Sequence, residues 1–321
     1  MTLRKSLFAL VVMVAGLFCR PALAWNSIGH MTVAYVAYQK LSPAEQARVA
    51  VLLQLNPYYT EWLTYLPAGT SDSDRALYVF MMAATWPDEI KARTSGYTGS
   101  DTAPAGELPT LNDGYDDKQA HKYWHYVDKP LRDDHADLPP LQVPMITQKI
   151  GVLRAALASS EPDPLKSYDL VWLEHLVGDV HQPLHATTRV STANPKGDAG
   201  GNLLLIDGKD KELHAFWDNL LGEGATKNFM TAVKVAATLP KPKATQVRDM
   251  KEDDWAAESF ALARKSVYAK PIASGLGPYT LTPAYTAQAQ KIARQRVSLA
   301  GARLANLLKA ALQCGDTSCA N

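Results

Sequence analysis

Cysteine is scarce: the chain has three in 321 residues, Cys19, Cys314 and Cys319. Cys314 and Cys319 lie at the extreme C-terminus, where they close a small loop in an oxidising compartment or stand as free thiols in a reducing one. In either state they tidy a tail, which excludes cysteine as the centre of the chemistry. A dominant charge is lacking too, with Lys plus Arg at 33 and Asp plus Glu at 32. That balance excludes holding a polyanion by blanket neutralisation of phosphates, so any such binding must come from local features. No apolar run reaches the roughly 20 residues that cross a bilayer. The longest, Leu7 to Cys19, has 13. It follows Arg4 and Lys5 and precedes Ala22-Leu23-Ala24, the three parts of a cleavable secretory signal. Residues 1–24 are therefore expected to be removed before Trp25, leaving a slightly acidic secreted or periplasmic protein. The remainder has no Asn-x-Ser/Thr sequon, since Asn26-Ser27 is followed by Ile28. That fits a bacterial product better than a eukaryotic one.

Repeats, low-complexity tracts and long internal linkers are also missing, so residues 25–321 are expected to form a single domain. The pattern that is present is mainly α. Apolar periodicity predicts helices over 30–40, 72–92, 144–160, 168–185, 228–239, 249–268 and 283–312. Ser42-Pro43-Ala44-Glu45 adds a capping box with Pro at the first helical position, opening a helix to about Leu55. Residues 93–118 and 187–201 read as loops. In "GGNLLLIDGKDKEL", Asp207-Gly208 between two short runs predicts one short β-hairpin.

All eight histidines lie between His30 and His214, which leaves the C-terminal third as scaffold. In "EHLVGDVHQPLH", His175 and Asp179 are four apart and so share one helix face, with His185 just past Pro183, where the helix should bend or end. "LHAFWDNL" repeats the device with His214 and Asp218. Two such pairs among apolar neighbours suit zinc, because a buried carboxylate without a cation is costly; a satisfied core His–Asp pair is the alternative. "TWPDEIK" adds Asp88 and Lys91, and "HKYWHYVDKP" adds His125, with His121 as a competitor that spacing does not eliminate.

Taken in order, "WNSIGHMTVAYVA", "WPDEIK", "WHYVD", "LEHLVGDVHQPLH", "GDAGGN" and "LHAFWDNLL" resemble the successive motifs of the zinc-dependent S1/P1 nuclease family, over residues 25 to about 222. The resemblance implies a mainly α fold of the zinc-dependent phospholipase C/nuclease type with three zinc ions per chain. By motif, one ion would be held by Asp88, His125, His175 and Asp179. A second would be held by His185, His214 and Asp218, and a third by Trp25, His30 and a bridging Asp179. Trp25 would serve through its α-amino nitrogen and carbonyl oxygen, an amine that exists only after cleavage at Ala24. The resemblance selects His125 over His121 and leaves His181 a supporting role.

It further implies hydrolysis of single-stranded DNA and RNA to 5′-nucleotides by a zinc-activated hydroxide, with 3′-nucleotidase activity. Asp88, Asp179 and Lys91 would be catalytic, and Lys91, Asn202 and Asp128 would handle substrate. Among Tyr58, Tyr59, Trp62 and Tyr65, about one is expected to meet a base. A zinc-dependent phospholipase C and an exported zinc-binding protein are the competing readings; Asp218, where the lipases usually carry Glu, favours the nuclease.

Overall fold

A computed structural model describes residues 25–92, 95–141, 145–222 and 228–314. The signal segment and Cys319 lie outside the described residues, so neither the cleavage nor the Cys314–Cys319 pairing is tested by the fold. The chain is about 54% helical. Its helices are α1 Ser27–Tyr38, α2 Pro43–Leu53, α3 Tyr59–Thr64, α4 Asp72–Ala83, α5 Trp86–Glu89 and α6 Ile146–Leu157. They continue with α7 Asp163–Asp179, α8 Leu213–Asp218, α9 Phe229–Ala236, α10 Ala244–Arg248, α11 Glu252–Leu262 and α12 Pro283–Cys314.

α7 is the axis. It is buried without interruption from Lys166 to Asp179, and α1, α2, α6 and α12 pack around it. A helix wetted on no face needs apolar residues all round, which Leu170, Val171, Trp172, Leu173, Leu176 and Val177 supply. α1 starts where the Asn26 side chain accepts from the Gly29 N–H. It lies close along α12 because residue 301 is glycine: a Cβ there would stand 2.6 Å from the Val36 side chain and 2.9 Å from the Val33 carbonyl. Ser42 and Glu45 form the expected capping box on α2.

Proline decides where two predicted helices divide. The 72–92 run breaks between α4 and α5, since Pro87 offers no N–H and its ring crowds the preceding turn. The 168–185 run stops at Asp179, and Pro183 opens a short 3₁₀ turn, Pro183–Ala186. The expected hairpin is minimal: Ile206 N–H bonds the Lys211 carbonyl and Leu213 N–H the Leu204 carbonyl, on either side of one antiparallel bridge, Leu205–Glu212. Leu205 itself spends its backbone on Leu276 and Tyr279, so the run joins a neighbouring segment. The two-stranded sheet is parallel and lies elsewhere, pairing β1 (Pro130–Arg132) with β2 (Thr188–Val190).

That small sheet positions the site. Thr188 N–H bonds the Lys129 carbonyl, and Val127 N–H bonds the His185 carbonyl at 2.8 Å, clasping the segments that carry His125 and His185. A large apolar core surrounds α7, while a second cluster of Leu184, Leu204, Leu213, Trp217 and neighbours backs α8. Among the described residues, no helix is long and apolar enough to cross a membrane.

Candidate metal centre

Three groups of buried or nearly buried side chains converge at the C-terminal end of α7: His30, His175 and Asp179; Asp88, His125 and His175; and His185, His214 and Asp218. Within each, the candidate ligand atoms lie within 4.8 Å of one another. Five parts of the chain supply them: α1, α5, the 3₁₀ turn Lys122–His125, the end of α7 with its following turn, and α8.

Asp179 is the hub. Its Oδ1 is 3.3 Å from His30 Nε2, and its Oδ2 is 2.9 Å from His125 Nδ1 and 3.2 Å from His175 Nε2. Asp88 Oδ1 lies 3.6 Å from His175 Nε2 and 4.0 Å from His125 Nδ1. In the third group, His214 Nε2 is 3.1 Å from His185 Nε2 and 3.4 Å from Asp218 Oδ2. His30 stacks on His175 with ring centroids 3.8 Å apart. Glycine at 178 lets His30 press on α7, since a Cβ there would sit 3.0 Å from His30 Nδ1.

Hydrogen bonds fix which nitrogen each imidazole offers. His175, His185 and His214 donate from Nδ1 to the carbonyls of Ala84, His125 and Gly200, at 2.8, 2.7 and 2.6 Å. Each therefore aims the Nε2 lone pair inward, the arrangement that metal-bound histidines require. The result in one group is an acceptor facing an acceptor, His185 Nε2 at 3.1 Å from His214 Nε2, while His175 Nε2 stands 3.0 Å from His125 Nδ1. His30 Nδ1 and Nε2, His125 Nε2 and Asp179 Oδ1 are buried without a hydrogen-bond partner. Converging nitrogen and carboxylate donors with unsatisfied atoms fit zinc.

The electrostatics agree. Burial pushes His30 down to about 4 and His125 down to about 3, leaving both neutral with a lone pair to give at neutral pH. Burial alone would raise Asp88 and Asp179. Lys91 and His175 beside Asp88, and His175 and His185 beside Asp179, outweigh it and hold both carboxyls below their ordinary range, while burial lowers His185 itself. His175 is likewise lowered by burial but raised more by Asp179 and Asp88. Asp218 is pushed well above the carboxylate range by burial, opposed in part by its hydrogen bond from Gln182.

The structure places the other expected residues as follows. Trp25 is fully buried, and its indole N–H donates to the Gly178 carbonyl at 3.0 Å, beside Asp179. Asn26 N–H bonds the Asp218 carbonyl at 3.3 Å. Lys91 is no solvated helix-end charge: it is buried, with Nζ 2.7 Å from Asp88 Oδ1. The Asn202 amide lies 3.2 Å from His214 Nδ1 and donates to the Ala199 carbonyl. Asp128 precedes β1 half-buried, pushed up to about 7 by burial and the Asp198 carboxylate. His121 turns away, bonded to Asp117 at 2.6 Å and stacked on Trp124 at 3.6 Å, so it belongs to an aromatic cluster rather than the centre. Trp62 is core and Tyr58 packs edge-on against Trp86, which leaves Tyr59 and the exposed Tyr65 as the wetter candidates for a base.

Sequence reasoning missed Gln182, Asp198 and two arginines of α12. Gln182 lies inside the quoted motif, so its signal was present. Nothing local marks Arg296 and Arg303, which reach His181 from more than a hundred residues away in sequence.

Known proteins bear on this geometry. The family model described as S1/P1 Nuclease matches residues 25–313. The chain is 29% identical to Endonuclease 4 of Arabidopsis thaliana, over 65% of this chain and 58% of that protein. It is 25% identical to Endonuclease 5 of the same plant, over 65% and 60%. Nuclease S1 of Aspergillus oryzae is 24% identical over 72% of this chain and 67% of its own. The matched stretch thus spans about three fifths of the two plant relatives. A family match over nearly all the described residues, falling on every segment that feeds the His–Asp cluster, shows that the chain belongs to the S1/P1 nuclease family.

Proposed function

We propose that this chain is an exported, zinc-dependent phosphodiesterase that cleaves single-stranded DNA and RNA to 5′-nucleotides and removes phosphate from 3′-nucleotides. The observation that carries the reading is the convergence of eight His and Asp side chains, with the inward nitrogens of His175, His185 and His214 fixed by backbone carbonyls. Asp88, His125, His175 and Asp179 would hold one ion, His185, His214 and Asp218 a second, and His30 with Asp179 and the Trp25 backbone a third. Zinc held there supplies Lewis acidity, which acidifies water and offsets charge on a phosphoryl group.

The chain's own residues supply the rest. Lys91 keeps a fixed positive charge against Asp88, where a phosphate oxygen can share it. The Asn202 amide, beside His214, offers a neutral donor to another oxygen. Asp128, held up to about 7 by burial and the Asp198 carboxylate, would orient the nucleophile or its ligands. A recessed cluster admits flexible strands more readily than a stacked duplex. The basic start, the short apolar run and the small-x-small site of residues 1–24 are what support export and an N-terminus at Trp25.

The test is an assay of the chain beginning at Trp25, loaded with zinc. The substrates are single- and double-stranded DNA, RNA, a 3′-nucleotide and phosphatidylcholine. Turnover of the single strands and the 3′-nucleotide is expected. Turnover of lipid alone would replace the reading with a phospholipase, and full zinc without turnover would make the chain a binding protein.

A further inference from the structure

Gln182 is completely buried between the ligands, yet the zinc reading assigns it nothing. Its side-chain amide donates from Nε2 to Asp218 Oδ1 at 2.8 Å. Its Oε1 accepts from the Leu184 N–H at 2.6 Å. The Leu184 N–H fixes the orientation of the amide, because a backbone N–H only donates, and this turns Nε2 toward Asp218. The main chain of the same residue is committed as well: its N–H bonds the Asp179 carbonyl at 2.9 Å, and its carbonyl receives the His185 N–H at 3.0 Å. One residue is thus hydrogen-bonded to three members of the cluster, Asp179, His185 and Asp218.

We propose that Gln182 is a positioning residue for the His185–His214–Asp218 centre, a clamp that decides which oxygen of Asp218 faces the metal. With Oδ1 engaged by the amide, Oδ2 is the atom turned toward His214 Nε2, 3.4 Å away. Asp218 is thereby confined to ligation through one oxygen, and its carboxylate plane is set before any ion arrives. The inward Nε2 atoms of His185 and His214 are fixed independently, by the carbonyls of His125 and Gly200. Asp218 has its aim set by the Gln182 side chain. Preset ligands give up less rotational freedom on binding, and partners of this kind are worth roughly 10–100-fold in metal affinity.

The inference rests on the zinc reading of the site, and its test separates the two. Zinc affinity is measured by competition with a chromophoric chelator for the wild type, Gln182→Met, Gln182→Glu, Asp218→Asn and the double variants. Thermal unfolding of the zinc-free proteins is followed in parallel. Methionine removes both hydrogen bonds at similar volume. Glutamate keeps the acceptor for Leu184 and so preserves the turn, but loses the donor to Asp218. The ion of the His185–His214–Asp218 group is expected to loosen roughly 10–100-fold in both variants while the other two stay bound. In the Asp218→Asn background the same changes at 182 are expected to have no further effect on zinc. An unchanged or tighter affinity in Gln182→Glu, or an equal loss with and without Asp218, overturns the clamp and leaves the zinc site standing. A wild type that takes up no zinc overturns both.

Discussion

At the scale of single residues, Asp179 stands apart because its two oxygens face different imidazoles. Oδ1 is turned to His30, and Oδ2 to His125 and His175. Oδ1 is buried and lacks a hydrogen-bond partner. Asp218, by contrast, belongs to one group only. Asp179→Ala is therefore expected to abolish hydrolysis and to release at least one zinc, with a second weakened. Asp218→Ala is expected to release one and leave the others. Metal analysis of both purified variants, alongside their rates, checks this. A full complement of zinc and a wild-type rate in Asp179→Ala would contradict the bridging role. The same residue shows how much of the site was legible. The four-residue spacing of His175 and Asp179 put them on one helix face, and the repeat at His214 and Asp218 did the same. Those pairs could be read because they are local. Joining them to His30, Asp88 and His125 required the resemblance, since no local rule brings α1 or α5 to the end of α7.

At the scale of elements, α12 looked like scaffold because it carries no histidine, and it does more. Arg303 donates to His181 Nε2 at 2.9 Å and to both oxygens of Glu258. Arg296 donates to the His181 carbonyl at 3.0 Å and to Glu258 at 2.7 Å. Ser259 of α11 closes the ring by donating to the Val180 carbonyl at 2.6 Å. α11 and α12 together thus brace the turn that separates Asp179 from His185. Glu258 neutralises the two buried cations. Burial would raise its carboxyl, but the hydrogen bonds from Arg303 and Arg296 win and hold it at about 2, against an ordinary 4.5. A carboxyl lowered on folding stabilises the fold fully above its unfolded value, and that stabilisation drains as pH falls through the folded one. Glu258→Gln should therefore cost about 1–3 kcal/mol at neutral pH, because it leaves two buried guanidiniums without their half-buried counter-ion. The variant should also lose part of the wild type's acid dependence between about pH 4.5 and about 2. Thermal unfolding across that range decides; parallel acid limbs in the two proteins would refute it. The helices themselves were largely legible from apolar periodicity, with proline marking the breaks. The parallel β1–β2 pair was not, because its partners are separated by α6 and α7 and each strand is three residues long.

At the scale of the whole molecule, the centre is a joint between the first residues of the described chain and nearly everything after them. Trp25 is tied to α7 through Gly178, and Asn26 is tied to α8 through the Asp218 carbonyl and to Asn219 at 2.9 Å. These contacts use the indole, the Asn26 backbone and the Asn26 side chain. They need no free N-terminus and should form in the precursor too. What cleavage before Trp25 would change is chemical. While Ala24 remains attached, the Trp25 nitrogen is an amide and a poor donor to zinc. After cleavage it is an amine with a reference pKa of about 7.7–8.0, whose proton zinc must displace. A chain with extra residues before Trp25 is therefore expected to fold and to load the Asp88 and His214 groups while holding the ion at His30 weakly. The form beginning at Trp25 should hold all three, and should lose the His30 ion first as pH falls below the amine's range. Chelator competition on the two forms at several pH values checks both halves. Equal affinity and equal activity in the extended chain would show that the amine is not a ligand. The His30 ion would then have to be held by side chains alone.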